Sequence, residues 1–263
     1  MNQPFPEHFV WGSATASYQI EGGTTEGGRG ASIWDTFCQI PGKVAGGDTG
    51  DVSCDHFHRF EEDIKMMKEL GLQAYRFSLS WSRIQPDGTG EANAEGITFY
   101  NKIIDCLLAH GIEPWITLYH WDLPQGLEDR MGGWLDKSII PIFGDYARIC
   151  FEQFGDRVKN WITLNEPWCS AVLGYGLGVH APGYADADMP YVVAHNLILS
   201  HAIAVKIYRE ESAHQQGRIG ITNNCDWRIP LTDSEADRAA AQRSLEFFRE
   251  MEQRNYSPTE EYN

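Results

Sequence analysis

Basic residues are scarce in this chain of 263 residues, in which 21 Lys and Arg face 37 Asp and Glu and leave a formal net charge of −16. A strongly acidic protein repels the phosphates of nucleic acids and the anionic headgroups of lipids, and no basic run in the sequence offsets that repulsion. The charge therefore argues against a nucleic-acid partner and is typical of a solvated surface.

Long apolar runs and paired cysteines are also missing. No uninterrupted apolar stretch approaches the ~20 residues needed to cross a bilayer, and residues 1–8 lack the basic and apolar regions of a secretory signal. The six cysteines form no C-x-x-C pair, and their number is low for a fold held together by disulfides. These absences predict a protein of the reducing cytoplasm with no membrane partner.

Signals for a nucleotide or a metal ion are weak. No glycine-rich loop of the G-x-G-x-x-G type follows the first predicted strand, which argues against a nucleotide-binding fold. Asp51, Asp55, His56 and His58 resemble metal ligands, but they lack a pair of histidines at i and i+4 with a helical Glu, and such residues often cap the start of a helix instead. We therefore expect neither a cofactor nor a metal ion.

The chain instead alternates short apolar, β-prone runs with longer segments of helical period. The predicted strands cover residues 9–14, 74–80, 112–120, 158–165 and 218–224. The predicted helices cover residues 57–70, 97–110, 138–154, 191–212 and 234–252. Alternation of this kind calls for parallel strands with helical crossovers, and it fits a (β/α) barrel or a doubly wound sheet equally well.

Two connections, residues 21–55 and 121–137, are long, irregular and rich in Gly and Asp. Loops of this length in a compact domain are usually lids or walls of a site, although a disordered surface insertion has the same composition. Polar residues also gather where the predicted strands end, notably His120, Asn165 with Glu166, and Asn224. Ligands bind at this edge of parallel sheets, so we expect the site there.

Glu166 is the best candidate for chemistry, because it follows an apolar strand and the amide of Asn165. A partly desolvated rim favours the protonated acid that a leaving-group oxygen needs, although a glutamate that merely starts a helix would occupy the same position. His120 can bind a hydroxyl group and Trp121 can supply an apolar wall, but a histidine at a strand end can also be structural. Arg76 is a cation within an apolar strand and must find acceptors inside the fold.

Four longer segments carry a resemblance to a known family. They read FVWGSATASYQIEG at residues 9–22, YRFSLSWSRI at 75–84, LYHWDLPQ at 118–125 and TLNEPW at 163–168. In this order they resemble the signatures of glycoside hydrolase family 1, and the resemblance extends over about residues 5–248. It implies an α/β fold, a (β/α)8 TIM barrel of which this chain holds about five of the eight strand–helix units.

The resemblance also implies retaining hydrolysis of terminal β-D-glucosides or short β-linked oligosaccharides, the activity of a β-glucosidase. Glu166 would be the general acid/base, and Arg76 would support the nucleophile electrostatically. The residues implied to contact substrate are Gln19, His120, Trp121 and Asn165 around the glycone, Trp168 and His180 beside the aglycone, and Asn224 at the end of the fifth strand.

One essential part of that chemistry is absent from the sequence. In the family the nucleophile is a Glu in a Thr-Glu-Asn-Gly type motif on the seventh strand, and this sequence contains no such motif. Retaining hydrolysis needs two carboxylates ~5–5.5 Å apart, so we expect the chain alone to be inactive unless a carboxy-terminal half or self-association complements it. The alternative is a non-catalytic fragment, an assembly partner or a sugar-binding protein on a partial barrel.

The last residues depart from the family pattern. We expect residues 1–248 to be the amino-terminal portion of the barrel and residues 249–263 to be a polar tail. The family would continue there with an apolar run towards a sixth strand.

Overall fold

A computed structural model describes residues 5–224 and 226–253, with side chains described up to residue 246. These residues contain one parallel sheet with strands β1 (Gly12–Ala14), β2 (Ala74–Ser78), β3 (Glu113–Tyr119), β4 (Asn160–Asn165) and β5 (Arg218–Thr222). The strands lie side by side in chain order, β1-β2-β3-β4-β5. A doubly wound sheet reverses its strand order at a switch point, whereas a barrel wall does not. The partial (β/α)8 barrel is therefore confirmed.

Helices lie in the connections between the strands, and one more follows β5 in the chain. They are α1 (Ser17–Ile20), α2 (Ile33–Cys38), α3 (His56–Glu69), α4 (Trp81–Ile84), α5 (Ala94–Ala109), α6 (Gln125–Met131), α7 (Ile139–Phe154), α8 (Met189–Glu211) and α9 (Glu235–Gln253). The five long helices and the five strands each begin and end within three residues of the positions predicted from the sequence. The two connections predicted as irregular contain the short helices α2 and α6.

Helix α2 forms inside the long connection because Ser32 and Asp35 form a reciprocal pair of capping hydrogen bonds at its start. Ser32 Oγ accepts from the backbone N–H of Asp35, and Asp35 Oδ2 accepts from the backbone N–H of Ser32 at 2.6 Å. This reciprocal pair satisfies two donors that the start of a helix otherwise leaves free. Arg29 adds an ion pair with Asp35 Oδ2 at 2.8 Å.

A buried ion pair holds the same connection against the barrel. Arg83, which is fully buried, donates from Nε to Glu21 Oε2 at 3.1 Å, and Tyr100 donates its hydroxyl to Glu21 Oε1 at 2.7 Å. The guanidinium also donates to the carbonyl of Glu26 and lies 4.4 Å from the ring centroid of Phe57. Because both charges are paired and bonded, their burial does not leave an unsatisfied charge in the core. The wall formed by this connection is thus fixed in place.

The sheet is buried in its middle and exposed at its edges. Ile116, Leu118 and Leu164, on β3 and β4, are fully buried. All three residues of β1 are exposed, and β5 is partly or fully exposed along its length. Among the described residues, neither β1 nor β5 pairs with a sixth strand.

Helix α8 is long and apolar enough to cross a membrane by length and composition alone. Its buried residues include Leu197, Ser200 and Ala204, and the helix packs along α7 and against β4. A crossover helix of a barrel needs an apolar face of this kind, so packing in the fold accounts for the composition of α8.

The chain divides into two compact units, residues 1–222 and residues 223–263. The second unit contains α9, whose start is capped by Ser234, since the backbone N–H of Asp237 donates to Ser234 Oγ at 3.1 Å. The predicted tail at residues 249–263 lies mostly outside the described residues, and its boundary at residue 248 stays a prediction.

Candidate active site

Three of the predicted residues meet where β2, β3 and β4 end. Arg76 donates from Nε to Thr117 Oγ1 at 2.9 Å and from Nη2 to Asn165 Oδ1. Asn165, which is 3% exposed, places its Nδ2 3.1 Å from Nε2 of His120. The cation predicted to need acceptors therefore has them, and one of them is a candidate sugar-binding amide.

These bonds also fix the protonation of His120. Because Asn165 Oδ1 accepts from Arg76, its Nδ2 must be the donor that faces His120, so Nε2 of the imidazole accepts and Nδ1 carries the proton. Burial, and then the positive charge of Arg76, lowers the pKa of His120 to about 3. The ring is thus neutral, and its buried Nδ1 has no hydrogen-bond partner among the described residues.

Trp121 and Glu166 share an unusual backbone conformation. Trp121 follows β3 with φ = 76°, and Glu166 follows β4 with φ = 49°. Side-chain-bearing residues in this left-handed region are strained, and such residues concentrate at functional sites. The indole Nε1 of Trp121 donates to the carbonyl of Asn165 at 2.9 Å, which ties the two strand ends together.

Glu166 is held through its backbone and through one carboxylate oxygen. Its N–H donates to the carbonyl of Thr222 on β5 at 2.8 Å, and the register of β4 against β5 shifts just before it, between Ile162 and Asn165. A bulge of this type re-aims the side chain beside it. Oε2 lies 3.5 Å from Sγ of Cys169, a thiol whose pKa burial, and then the charge of Glu166, raises to about 12. The thiol therefore stays protonated and acts as the donor in this pair.

A π-helical segment, Cys169–Gly176, continues the chain beyond Glu166. Such segments are rare and are found frequently at functional sites. The charge of Glu166 also reaches Arg76, because burial lowers the pKa of the guanidinium and the negative charge of Glu166 partly offsets that effect. Glu166 and Arg76 are therefore electrostatically coupled across the strand ends.

Gln19 joins His120 and Trp121 on the wall of one cavity of about 340 Å³. Tyr18, Trp34 and Asp48 line the same cavity. This volume lies in the range of small-ligand sites. The cavity thus brings residues of the connection after β1 together with residues at the end of β3.

The aromatic walls of this cavity extend towards the segment after β4. The ring of His180 lies 5.2 Å from that of Trp121 and 5.4 Å from that of Trp34, between ring centroids. Burial lowers the pKa of His180, so the ring is neutral at physiological pH. Trp34 was missed in the sequence analysis, although its position in a connection predicted as a site wall was a usable signal.

The two remaining predicted site residues are Trp168 and Asn224. Trp168 is half-buried, directly before the π-helical segment. Asn224 belongs to the second unit, so its role at the site stays a prediction.

The residues that resemble metal ligands are engaged in other pairs. His56 Nδ1 lies 2.7 Å from Asp63 Oδ2, and His58 Nδ1 lies 2.6 Å from Asp55 Oδ1. Within residues 5–224 and 226–253 no group of three or more His, Cys, Asp or Glu is arranged to hold a metal ion.

Comparisons with known proteins give one consistent result. The family model described as "Glycosyl hydrolase family 1" matches residues 1–256. The chain is 52% identical over 252 residues to Beta-glucosidase 26 of Oryza sativa subsp. japonica, which covers 92% of this chain and 49% of the relative. It is 54% identical over 233 residues to Beta-glucosidase A of Thermotoga maritima, which covers 89% of this chain and 52% of the relative. The chain thus spans about half the length of the curated relatives it matches.

Solved structures agree with the sequence matches. The crystal structure of a rice β-glucosidase gives a TM-score of 0.91 at 50% identity, over 93% of this chain and 54% of that chain. A mutant of the rice enzyme in a covalent complex with Glc gives the same values. The β-glucosidase of Thermotoga maritima in complex with deoxynojirimycin gives a TM-score of 0.89 at 52% identity, over 93% of this chain and 55% of that chain.

Proposed function

The chain belongs to glycosyl hydrolase family 1, and we propose that it supplies the acid/base side of the active site of a retaining β-glucosidase. The observation that carries the proposal is the bonded cluster of Arg76, Asn165 and His120 beside Glu166 at the carboxyl ends of the central strands. The names of the relatives support glucosides as substrates, because Beta-glucosidase 26 and Beta-glucosidase A are 52% and 54% identical to this chain.

In the proposed reaction Glu166 acts in both steps, first as an acid and then as a base. As an acid it gives its proton to the glycosidic oxygen while the bond from that oxygen to the anomeric carbon breaks and a second carboxylate bonds to that carbon. As a base it then takes a proton from the water that releases the sugar. The covalent complex of the rice relative with Glc supports a retaining course with a covalent intermediate.

The sugar would lie against the cavity wall formed by Gln19, His120 and Trp121. Neutral His120 and the side-chain amides of Gln19 and Asn165 can both donate to and accept from hydroxyl groups. The indole of Trp121 offers an apolar face to the C–H groups of a pyranose. Glucose-like inhibitors such as deoxynojirimycin bind the Thermotoga maritima relative, which supports this assignment.

By the family resemblance Arg76 would stabilise the carboxylate nucleophile, and its guanidinium also interacts electrostatically with Glu166. Trp168 and His180 would border the leaving group, and the ring contact of His180 with Trp121 supports this for His180. The nucleophile itself has no recognisable motif in this sequence. We therefore propose that turnover requires a complementing carboxy-terminal half or association with a second copy.

The cytoplasm remains the proposed location. The five cysteines that the structure describes are Cys38, Cys54, Cys106, Cys150 and Cys169, and all of them are free thiols. Free thiols support a reducing compartment, because disulfides form and persist in oxidising ones.

Hydrolysis of p-nitrophenyl β-glucoside tests the proposal. The chain alone should be inactive, and addition of the carboxy-terminal half of the Thermotoga maritima relative should generate an activity that Glu166→Gln lowers by roughly 10²-fold or more. The exposed Glu152 on α7 offers a matched control, since Glu152→Gln should leave that activity unchanged. Activity of the chain alone that survives Glu166→Gln would refute the proposed role of Glu166.

A further inference from the structure

A buried carboxyl group that the proposed chemistry does not use lies behind the cavity wall. Asp122 directly follows Trp121 and is 0% exposed. Its Oδ2 accepts a hydrogen bond of 2.6 Å from the hydroxyl of Ser17. Its Oδ1 is buried and has no hydrogen-bond partner among the described residues.

The bonds continue from Ser17 to the second strand. The backbone N–H of Ser17 donates to Ser78 Oγ at 2.8 Å, and Ser78 Oγ donates to Ser17 Oγ at 3.1 Å. Ser17 is 3% exposed and Ser78 is 1% exposed, so the cluster is sealed from water. Asp122, Ser17 and Ser78 therefore join the chain after β1, the end of β2 and the chain after β3 at a single point.

Two members of this cluster are direct neighbours of candidate sugar-binding residues. Ser17 is the first residue of α1, which also carries Gln19. Asp122 follows Trp121, whose φ of 76° persists only if its surroundings hold it there. The indole bond to Asn165 holds Trp121 from its side chain, and the bond from Ser17 to Asp122 holds the backbone that follows.

A comparison with Glu21, another buried acidic residue nearby, shows that Asp122 does not stabilise the fold through an ion pair. Glu21 is paired with Arg83 and bonded by Tyr100, so its charge is balanced. Asp122 has no ion pair among the described residues, although Arg29 is near enough to favour its charged form and Glu21 near enough to oppose it. A buried carboxyl group with one bond and no paired cation costs stability compared with an apolar residue, and such costs are typical of functional sites.

We propose that Asp122 is a positioning residue, which through its bond to Ser17 holds Gln19 in place relative to His120 and Trp121 on the walls of the cavity. The walls are then set before a sugar arrives, so binding does not have to order them. The identity of the sugar rests on the proposed function, whereas the fixed geometry of the walls does not.

The geometry can be tested in the chain alone, without any activity, by ¹⁹F NMR after labelling with 5-fluorotryptophan. The variant Trp121→Phe identifies the Trp121 signal among the nine tryptophans. Ser17→Ala and Asp122→Ala should shift or broaden the Trp121 signal while the signal of buried Trp161 stays in place. Asp122→Asn should keep the Trp121 signal, because an amide oxygen still accepts from Ser17.

Ser82→Ala is the matched control, since Ser82 is a fully buried serine that bonds to Ser80 and not to Asp122. It should leave the Trp121 signal unchanged. If Asp122→Ala does not fold, Ser17→Ala still tests the proposal. It removes only the hydroxyl group that donates to Asp122. An unmoved Trp121 signal in Ser17→Ala would overturn the proposal, as would a change that is equally large in Ser82→Ala.

A kinetic measurement separates positioning from a general loss of structure. In the chain combined with a carboxy-terminal half, Ser17→Ala should raise KM for p-nitrophenyl β-glucoside by about tenfold, the effect of one lost hydrogen bond, and change kcat less. The Asp122→Asn variant, which keeps an acceptor for Ser17, should have a KM within a few-fold of the wild-type value. A fall in kcat at unchanged KM would contradict the proposal. If the combined chains are inactive, the proposed function fails while the fluorine signals still decide the role of Asp122.

Discussion

The centre of the sheet and its two edges differ in how completely their groups are bonded. At the ends of β2, β3 and β4, Arg76, Asn165 and His120 form one hydrogen-bonded cluster. At one edge, β1 is exposed along its whole length, and Trp11 just before it is 50% exposed. At the other edge β5 is partly exposed, and neither edge has a further strand neighbour among the described residues.

This difference separates what the chain can do alone from what it needs help to do. The acid/base side of the proposed site is organised by bonds within the chain, so it does not depend on another polypeptide for its geometry. The open edges offer unpaired backbone groups, which pair readily with other strands. The proposed dependence of activity on a complementing half follows from the missing nucleophile motif, and the open edges are where such a half could pair with the sheet.

The largest effect should come from the centre, where Glu166 stands. In the chain combined with a carboxy-terminal half, Glu166→Gln should lower kcat for p-nitrophenyl β-glucoside by roughly 10²- to 10⁴-fold, the usual contribution of a general acid/base. A substrate with a leaving group that needs no proton, 2,4-dinitrophenyl β-glucoside, should still form the glycosyl-enzyme, and azide should then speed its release. Equal losses with both substrates would contradict the role of Glu166 as an acid.

Lowering the pH should decrease the free energy of unfolding, because His120 at the centre of the sheet is buried in its neutral form. Burial and Arg76 lower its pKa from 6.5 to about 3, so between these pH values the unfolded chain binds more protons than the folded chain and stability falls as the pH is lowered. His120→Gln removes this loss. Between pH 7 and pH 4 the variant should lose about 3 kcal/mol less of its free energy of unfolding than wild type, measured with urea.

His201, whose pKa burial lowers to about 4, contributes to acid sensitivity in both proteins and cancels in this comparison. His214 is exposed, and His214→Gln serves as the control that should follow wild type. Identical pH dependence of wild type and His120→Gln would show that His120 is not held neutral by its surroundings.

A smaller effect at the centre should follow from Thr117→Val. The substitution keeps the shape of a fully buried side chain but removes the acceptor of Arg76 Nε. A buried donor without a partner costs about 1–3 kcal/mol, and because Arg76 is only partly buried the free energy of unfolding should fall by about 1 kcal/mol. Thr98→Val, on the exposed face of α5, is the matched change and should be nearly neutral. Equal stabilities of the two variants would mean that the bond from Arg76 contributes little.

The sequence was a good guide to the elements of the sheet, since their signal is periodic and local. Helix α7, for example, begins at Ile139 and ends at Phe154, one residue from the predicted start and at the predicted end. The alternation did not distinguish a barrel from a doubly wound sheet, because that choice depends on strand order. Strand order is a property of contacts between distant segments, and it became visible only in the pairing of β1 to β5.

The walls of the site were less predictable for the same reason. Trp34 reaches the cavity because the connection that carries it is fixed by Glu21 and Arg83, which are 62 positions apart in the chain. The left-handed conformations of Trp121 and Glu166 have no signature in the residue types themselves. Strain of this kind is imposed by distant contacts, so it cannot be deduced from a local pattern.

The last expected effect, of similar size, concerns the edges of the sheet. It tests whether the edge strands drive self-association more than other exposed surfaces do. We expect the chain alone to self-associate through β1 or β5, because both are open strands. Ile221→Lys places a charge on β5, where the side chain is partly exposed, and should weaken association by about tenfold, or ~1.4 kcal/mol, in sedimentation equilibrium.

Leu108→Lys is the control variant, which separates an effect at the strand edge from a general effect of charge or apolar surface. Leu108 lies on α5 and is 41% exposed, so the substitution removes apolar surface and adds the same charge away from the sheet. If general hydrophobic contact or net charge drove association, both variants would weaken it equally. A selective effect of Ile221→Lys would place the contact at the strand edge. A wild-type chain that stays monomeric at all concentrations would show instead that its edges are protected without a partner.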